Sequence, residues 1–131
     1  MHLKYLIADC IVFEPFENSI YIYRTNRKEI TKHEIGENSK DVLLELIESK
    51  KCLSTEELLE NIWRNKRKSE VDITSVRQAV SKLRKSFSFV APEIDIIKTI
   101  PRKGYLLNAK VILLDECSNH KRHPLGIVFY F

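Results

Sequence analysis

Between Gly36 and Pro92 the apolar residues fall at helical spacing, whereas on both sides they alternate or cluster as they do in strands. No other feature limits the fold as much as this change of period, because one chain must supply a sheet, a helical middle and a closing hairpin. In the first 35 residues, KYLIAD (4–9), IVFEPF (11–16) and NSIYIYR (18–24) are rich in β-branched and aromatic residues, with Ile20 and Ile22 alternating with Tyr21 and Tyr23. The polar run TNRKE (25–29) reads as a turn into a fourth strand near Glu29–His33, which predicts a four-stranded antiparallel sheet.

Three helices are expected next. Asn38 or Ser39 can cap the first, whose Val42, Leu43, Leu46 and Ile47 share one face. Ser54 and Glu57 fit a capping box for the second, with Leu58, Leu59, Ile62 and Trp63 as its buried stripe; at that spacing Trp63 reads as core. Asp72 or Thr74 caps a third helix over 74–87, after the polar connection RNKRKSE (64–70). Val76, Val80, Leu83 and Phe87 recur at i, i+4, i+7 and i+11, so at about 100° per residue they form one buried stripe. Thr74, Gln78, Ser81, Lys82 and Lys85 gather on the opposite side, with Arg77 and Arg84 on one flank and Ser75 on the other. After Pro92, IDIIKTI (94–100), PRKG (101–104) and YLLNAKVILL (105–114) read as a hairpin in which Gly104 takes a positive φ. The fold class predicted is α+β.

Charge is distributed unevenly along this framework. Residues 1–60 hold 8 Lys/Arg against 12 Asp/Glu, residues 61–110 hold 12 against 4, and residues 111–131 hold 2 against 2. A basic block within a folded region is suited to a polyanion, although a solvated charged face has the same composition. A helix that turns Gln78, Ser81 and Lys82 outward fits the major groove of duplex DNA: Gln78 can bond bidentately to adenine, and Lys82 can donate to guanine acceptors. Arg77, Arg84 and Lys85 are placed for phosphates, and Arg102 at the hairpin tip for a neighbouring minor groove.

The stretch LSTEELLENIW (53–63), then VRQAVSKLRKSF (76–87), then IIKTIPRKGYLL (96–107) resembles the winged helix-turn-helix effector domain of the OmpR/PhoB family, and within it the ToxR- and CadC-like regulators. The resemblance covers about residues 10–110. It implies a winged helix-turn-helix domain over 1–110, with an N-terminal four-stranded antiparallel sheet, three helices and a C-terminal β-hairpin wing. It also implies a transcription regulator that binds double-stranded DNA without a cofactor. By residue, it implies DNA contacts from Thr74, Ser75, Arg77, Gln78, Ser81, Lys82, Arg84 and Lys85 on the recognition helix and from Thr99, Arg102 and Lys103 on the wing. Arg64, Lys66, Arg67 and Lys68 match the loop that in the family touches RNA polymerase; being basic, they can equally hold phosphates. A homodimer on repeated half-sites is the expected binding mode. Since the chain opens at the effector sheet, phosphorylation of a receiver domain is not the expected switch.

Other function classes find little support. The sequence has no Gly-rich phosphate loop, nucleophile elbow or HExxH, so neither an enzyme nor a small-molecule substrate is expected. Cys117, His120 and His123 form a C-x-x-H-x-x-H cluster without a fourth partner, and no metal site is expected. The cysteines Cys10, Cys52 and Cys117 are too few for a disulfide framework and fit reduced thiols. The N-terminus MHLKYLIADC lacks a secretory layout, and no run reaches the roughly 18 to 20 apolar residues that span a bilayer, so a cytoplasmic protein is expected. Residues 111–131 read as a strand or tail, with HKRHPLGIVFYF (120–131) the edge of an inner-membrane anchor only in a longer chain. The competing reading is a winged-helix adaptor that acts through a protein partner. It would call for an apolar outer face on the third helix.

Overall fold

The computed structural model describes residues 3–23, 32–63, 72–115 and 127–130. The chain divides into two compact units, residues 1–34 with 109–131, and residues 35–108.

The first unit is an antiparallel sheet. Strands β1 (Leu3–Ile7), β2 (Ile11–Glu14), β3 (Ser19–Ile22) and β4 (His33–Glu34) follow each other as neighbours, and β7 (Val111–Asp115) and β8 (Ile127–Tyr130) extend the sheet on the β1 side, giving the order β4-β3-β2-β1-β7-β8. β1 meets β2 through Tyr5–Phe13 and Ile7–Ile11, and β7 through Tyr5–Leu113 and Ile7–Val111. The β1–β2 connection is tight: Cys10 N–H donates to Ile7 O at 3.2 Å, and Ala8 and Asp9 take φ of 55° and 61°. Two left-handed central residues match the twist of the flanking strands. Pro15 ends β2 two residues before the sequence suggests, opening a single 3₁₀ turn, Pro15–Glu17, that Asn18 closes at φ 49°. The expected fourth strand near Glu29–His33 falls largely outside the described residues, and the strand seen is His33–Glu34. Leu6, Val12, Tyr21, Ile112 and Leu114 pack together on one face, with Tyr23 against them.

In the second unit, α1 (Glu37–Ser49), α2 (Thr55–Trp63) and α3 (Ile73–Val90) pack on one another and precede the hairpin of β5 (Ile97–Ile100) and β6 (Gly104–Leu107). This is the winged-helix arrangement. α1 starts at Glu37 on the extended Gly36, with no side-chain cap, so the expectation of Asn38 or Ser39 as cap is corrected. Ser39 instead lies inside the helix and is buried, its Oγ donating to Ala79 O at 2.9 Å across to α3. A buried hydroxyl gains more from that bond than from a cap already exposed to water. α2 has the expected capping box: Glu57 N–H donates to Ser54 Oγ and Ser54 N–H to Glu57 Oε1, each at 3.0 Å. The Trp63 side chain lies outside the described residues.

The run 105–114 is not one strand. β6 stops at Leu107, opposite Ile97 where its four-residue partner β5 begins, and the chain continues into β7 on the free edge of β1. An edge strand carries unpaired amides and carbonyls, and adding a strand satisfies them. Among the described residues Cys52 is a free thiol, and no helix is long and apolar enough to cross a membrane.

Candidate nucleic-acid interface

α3 begins on Asp72, whose carboxylate accepts from Ser75 N–H at 2.9 Å while Ser75 Oγ accepts from Asp72 N–H at 3.4 Å. The Ser75 N–H and Oγ–H both donate to the Asp72 carboxylate and hold its carboxyl below its ordinary range. The helix therefore enters with its first amides already served by an anion of its own, and Ser75 is occupied in that cap. Val76, Ala79, Val80, Leu83 and Phe87 are buried. Thr74, Arg77, Gln78, Ser81, Lys82 and Lys85 are exposed, so the heptad-like spacing of the apolar stripe leaves one polar, basic outer face. That face carries three cations, an amide and two hydroxyls.

The wing is anchored to the same unit. Leu53, just before α2, exchanges backbone hydrogen bonds with Tyr105 on β6, at 2.9 and 2.8 Å. At its tip Lys103 N–H donates to Ile100 O at 3.0 Å, with Pro101 and Arg102 as the central residues and Arg102 at φ 66°. Proline first and a positive φ second define a type II turn. The sequence reading assigns the positive φ to Gly104, which has it at 139°, but Arg102 also takes a positive φ, in the left-handed region where a side chain is uncommon. Gly104 is required for a second reason: a Cβ on it would sit 2.0 Å from Leu53 O. Arg102 and Lys103 are exposed at the turn.

Two clefts border the outer face of α3. One, of about 280 Å³, is lined by Ser54, Thr55, Arg77, Thr99, Arg102 and Lys103 among others, and so brings the wing tip, the start of α2 and the Arg77 flank to one place. The other, of about 380 Å³, lies on the α1 side between Gly36–Ser39 and Gln78, Ala79 and Lys82. Of the eleven residues expected on the recognition helix and wing, all stand in this unit, but Arg84 and Thr99 are joined to each other: an Arg84 Nη–H donates to Thr99 Oγ1. Ser54 and Thr55 border the wing-side cleft and were legible only as a helix start, because the pairing that brings Leu53 to Tyr105 spans 52 positions. Arg64, Lys66, Arg67 and Lys68, and Cys117, His120 and His123, lie outside the described residues. No metal-binding group of side chains occurs among the described residues.

The profile of the family described as transcriptional regulatory protein, C terminal, matches residues 30–107. A cholera toxin homolog transcriptional activator of Vibrio parahaemolyticus serotype O3:K6 is 32% identical over 117 residues, covering 88% of this chain and 39% of that protein, so the chain spans about two fifths of its relative. Among solved structures, the DNA-binding domain of Escherichia coli CadC superposes with a TM-score of 0.62 at 29% identity, covering 78% of this chain and 89% of that one. The DNA-binding domain of Klebsiella pneumoniae RstA, in complex with the RstA box, superposes with a TM-score of 0.52 at 25% identity, covering 75% and 90%.

Proposed function

The chain belongs to the family of transcriptional regulatory proteins defined by this C-terminal domain, and from that premise we propose that it is a sequence-specific, double-stranded DNA-binding regulator that docks α3 in the major groove. The observation that carries the reading is the outer face of α3, where Thr74, Arg77, Gln78, Ser81, Lys82 and Lys85 stand exposed over a buried apolar stripe, beside a wing tipped by Arg102 and Lys103. The relatives support it: the RstA domain is seen on its DNA box, and the CadC domain is a DNA-binding domain.

In this reading Gln78 and Lys82 supply base readout, since an amide and an ammonium match the donor and acceptor pattern of the major groove. Arg77 and Lys85 hold phosphates and set register. Arg102 and Lys103 meet the adjacent minor groove, and a second copy occupies a half-site about one helical turn away. Gene control then follows from occupancy or from contact with RNA polymerase, in the compartment that holds the DNA. The chemistry required is binding only, with no cofactor and no reaction.

Fluorescence anisotropy with a labelled duplex tests the proposal directly. Neutralising several phosphates releases counterions, so affinity should fall steeply, by orders of magnitude for about six or more contacts, between about 50 and 200 mM salt. An affinity flat across that range would mean that the basic face does not meet a nucleic acid.

A further inference from the structure

We propose that Arg84 is a positioning residue, which fixes the wing at a set distance from the recognition helix, and is not itself a ligand of the nucleic acid; the inference rests on the DNA-binding reading. The Arg84 side chain is half-buried and turned into its own fold. Its Nε–H and one Nη–H both donate to Ile97 O at 3.3 Å, and the same Nη donates to Thr99 Oγ1. The guanidinium carbon lies 5.4 Å from the centroid of the Tyr105 ring. Ile97 and Thr99 belong to β5, and Tyr105 is the β6 residue that pairs with Thr99. One planar cation on α3 thus spans both strands of the hairpin.

Tyr105 is therefore held twice, through its backbone by Leu53 and through its ring by Arg84. The neighbours of Arg84 on the helix are different: Lys82 and Lys85 are exposed and Leu83 is buried. A guanidinium offers a rigid fork of donors and a flat face for an aromatic ring, whereas an ammonium has three donors but neither the fixed fork nor the flat face. The consequence is geometric. A separation fixed before DNA arrives lets helix and wing enter adjacent grooves together without the entropic cost of ordering the wing on binding.

The experiment has one readout without DNA and one with it. In the full chain, Arg84→Lys and Arg84→Met should speed amide hydrogen exchange in β5 and β6 by about tenfold or more, while the α3 amides at Val80 and Leu83 keep their rates. With a duplex selected by the unaltered chain, Arg84→Met should weaken binding by about tenfold. In a background whose wing tip is removed, Arg102→Gly with Lys103→Ala, the same change should cost less than about twofold, since a residue acting through the wing has nothing left to position. An equal loss in both backgrounds, with the salt slope reduced by about one, would make Arg84 a direct phosphate ligand and overturn the inference. If the unaltered chain binds no duplex, the DNA reading fails. The exchange rates then decide alone: unchanged rates in β5 and β6 refute the positioning role, and faster ones uphold the clamp.

Discussion

Gly104→Ala should be among the most damaging single-methyl additions to the helical unit. The new Cβ would lie 2.0 Å from Leu53 O, 2.5 Å from Leu53 C and 2.7 Å from Ser54 Cα, where ordinary contact begins near 3.4 Å. All three obstacles are backbone, so no rotamer can relieve them, and β6 must draw back by more than an ångström. At that separation the two Leu53–Tyr105 bonds, now 2.8 and 2.9 Å, pass out of range. Two lost backbone bonds cost about 2 kcal/mol, and an alanine at φ 139° about 1–3 kcal/mol more, giving a loss of about 3–5 kcal/mol. For a unit of this size that is a fall in midpoint of well over about 10 °C. Urea denaturation followed by far-UV circular dichroism measures it, with amide exchange at Leu53 and Tyr105 reporting the local rupture. Gly36→Ala is the control, because nothing lies within 4 Å of a Cβ there and its backbone is already extended. A Gly104→Ala stability within about 1 kcal/mol of that of the unaltered chain would refute this seating of the wing.

Three further outcomes are expected. Ala8→Gly should stabilise the chain by about 1 kcal/mol, since Ala8 stands at φ 55° in the β1–β2 turn; thermal melts that show no gain would contradict the turn geometry. The Asp72 carboxyl is depressed by its Ser75 hydrogen bonds, so the charged cap contributes fully above the range of an unfolded aspartate and fades as pH falls through the lower folded value. The stability difference between the unaltered chain and Asp72→Ala should therefore shrink from about pH 6 to about pH 3, as seen in urea melts at each pH. Lys82→Ala should relax base preference at one position of the selected site, whereas Arg102→Gly should weaken binding to all duplexes alike; the reverse pattern would exchange the roles of helix and wing.

Much of this architecture was legible because it is local. The stripe of Val76, Val80, Leu83 and Phe87 specifies both the buried side of α3 and, by subtraction, the outer face that carries Gln78 and Lys82. Ser54 with Glu57 is likewise a start signal that works within one turn of helix, and the structure forms it as expected. The features that were not legible depend on partners far along the chain. Periodicity places Arg84 on a basic flank, but only the return of β5 supplies the Ile97 carbonyl that takes up its donors. Ser39 reads as a cap until Ala79 offers a buried carbonyl. The strand after Ala109 reads as hairpin, since its apolar residues suit either partner, and the choice is made by the open edge of β1. Pro15 is a local signal of the same kind as Ser54 with Glu57: it ends β2 and opens the following turn.

Selection from a random duplex library, at near-physiological salt and followed by titration of the recovered duplex against a scrambled one, tests the central claim most directly. The account predicts a repeated motif, its half-sites about one helical turn apart, bound by about a thousandfold or more over the scramble. Recovery of no motif, with weak and equal binding to every duplex, would contradict it.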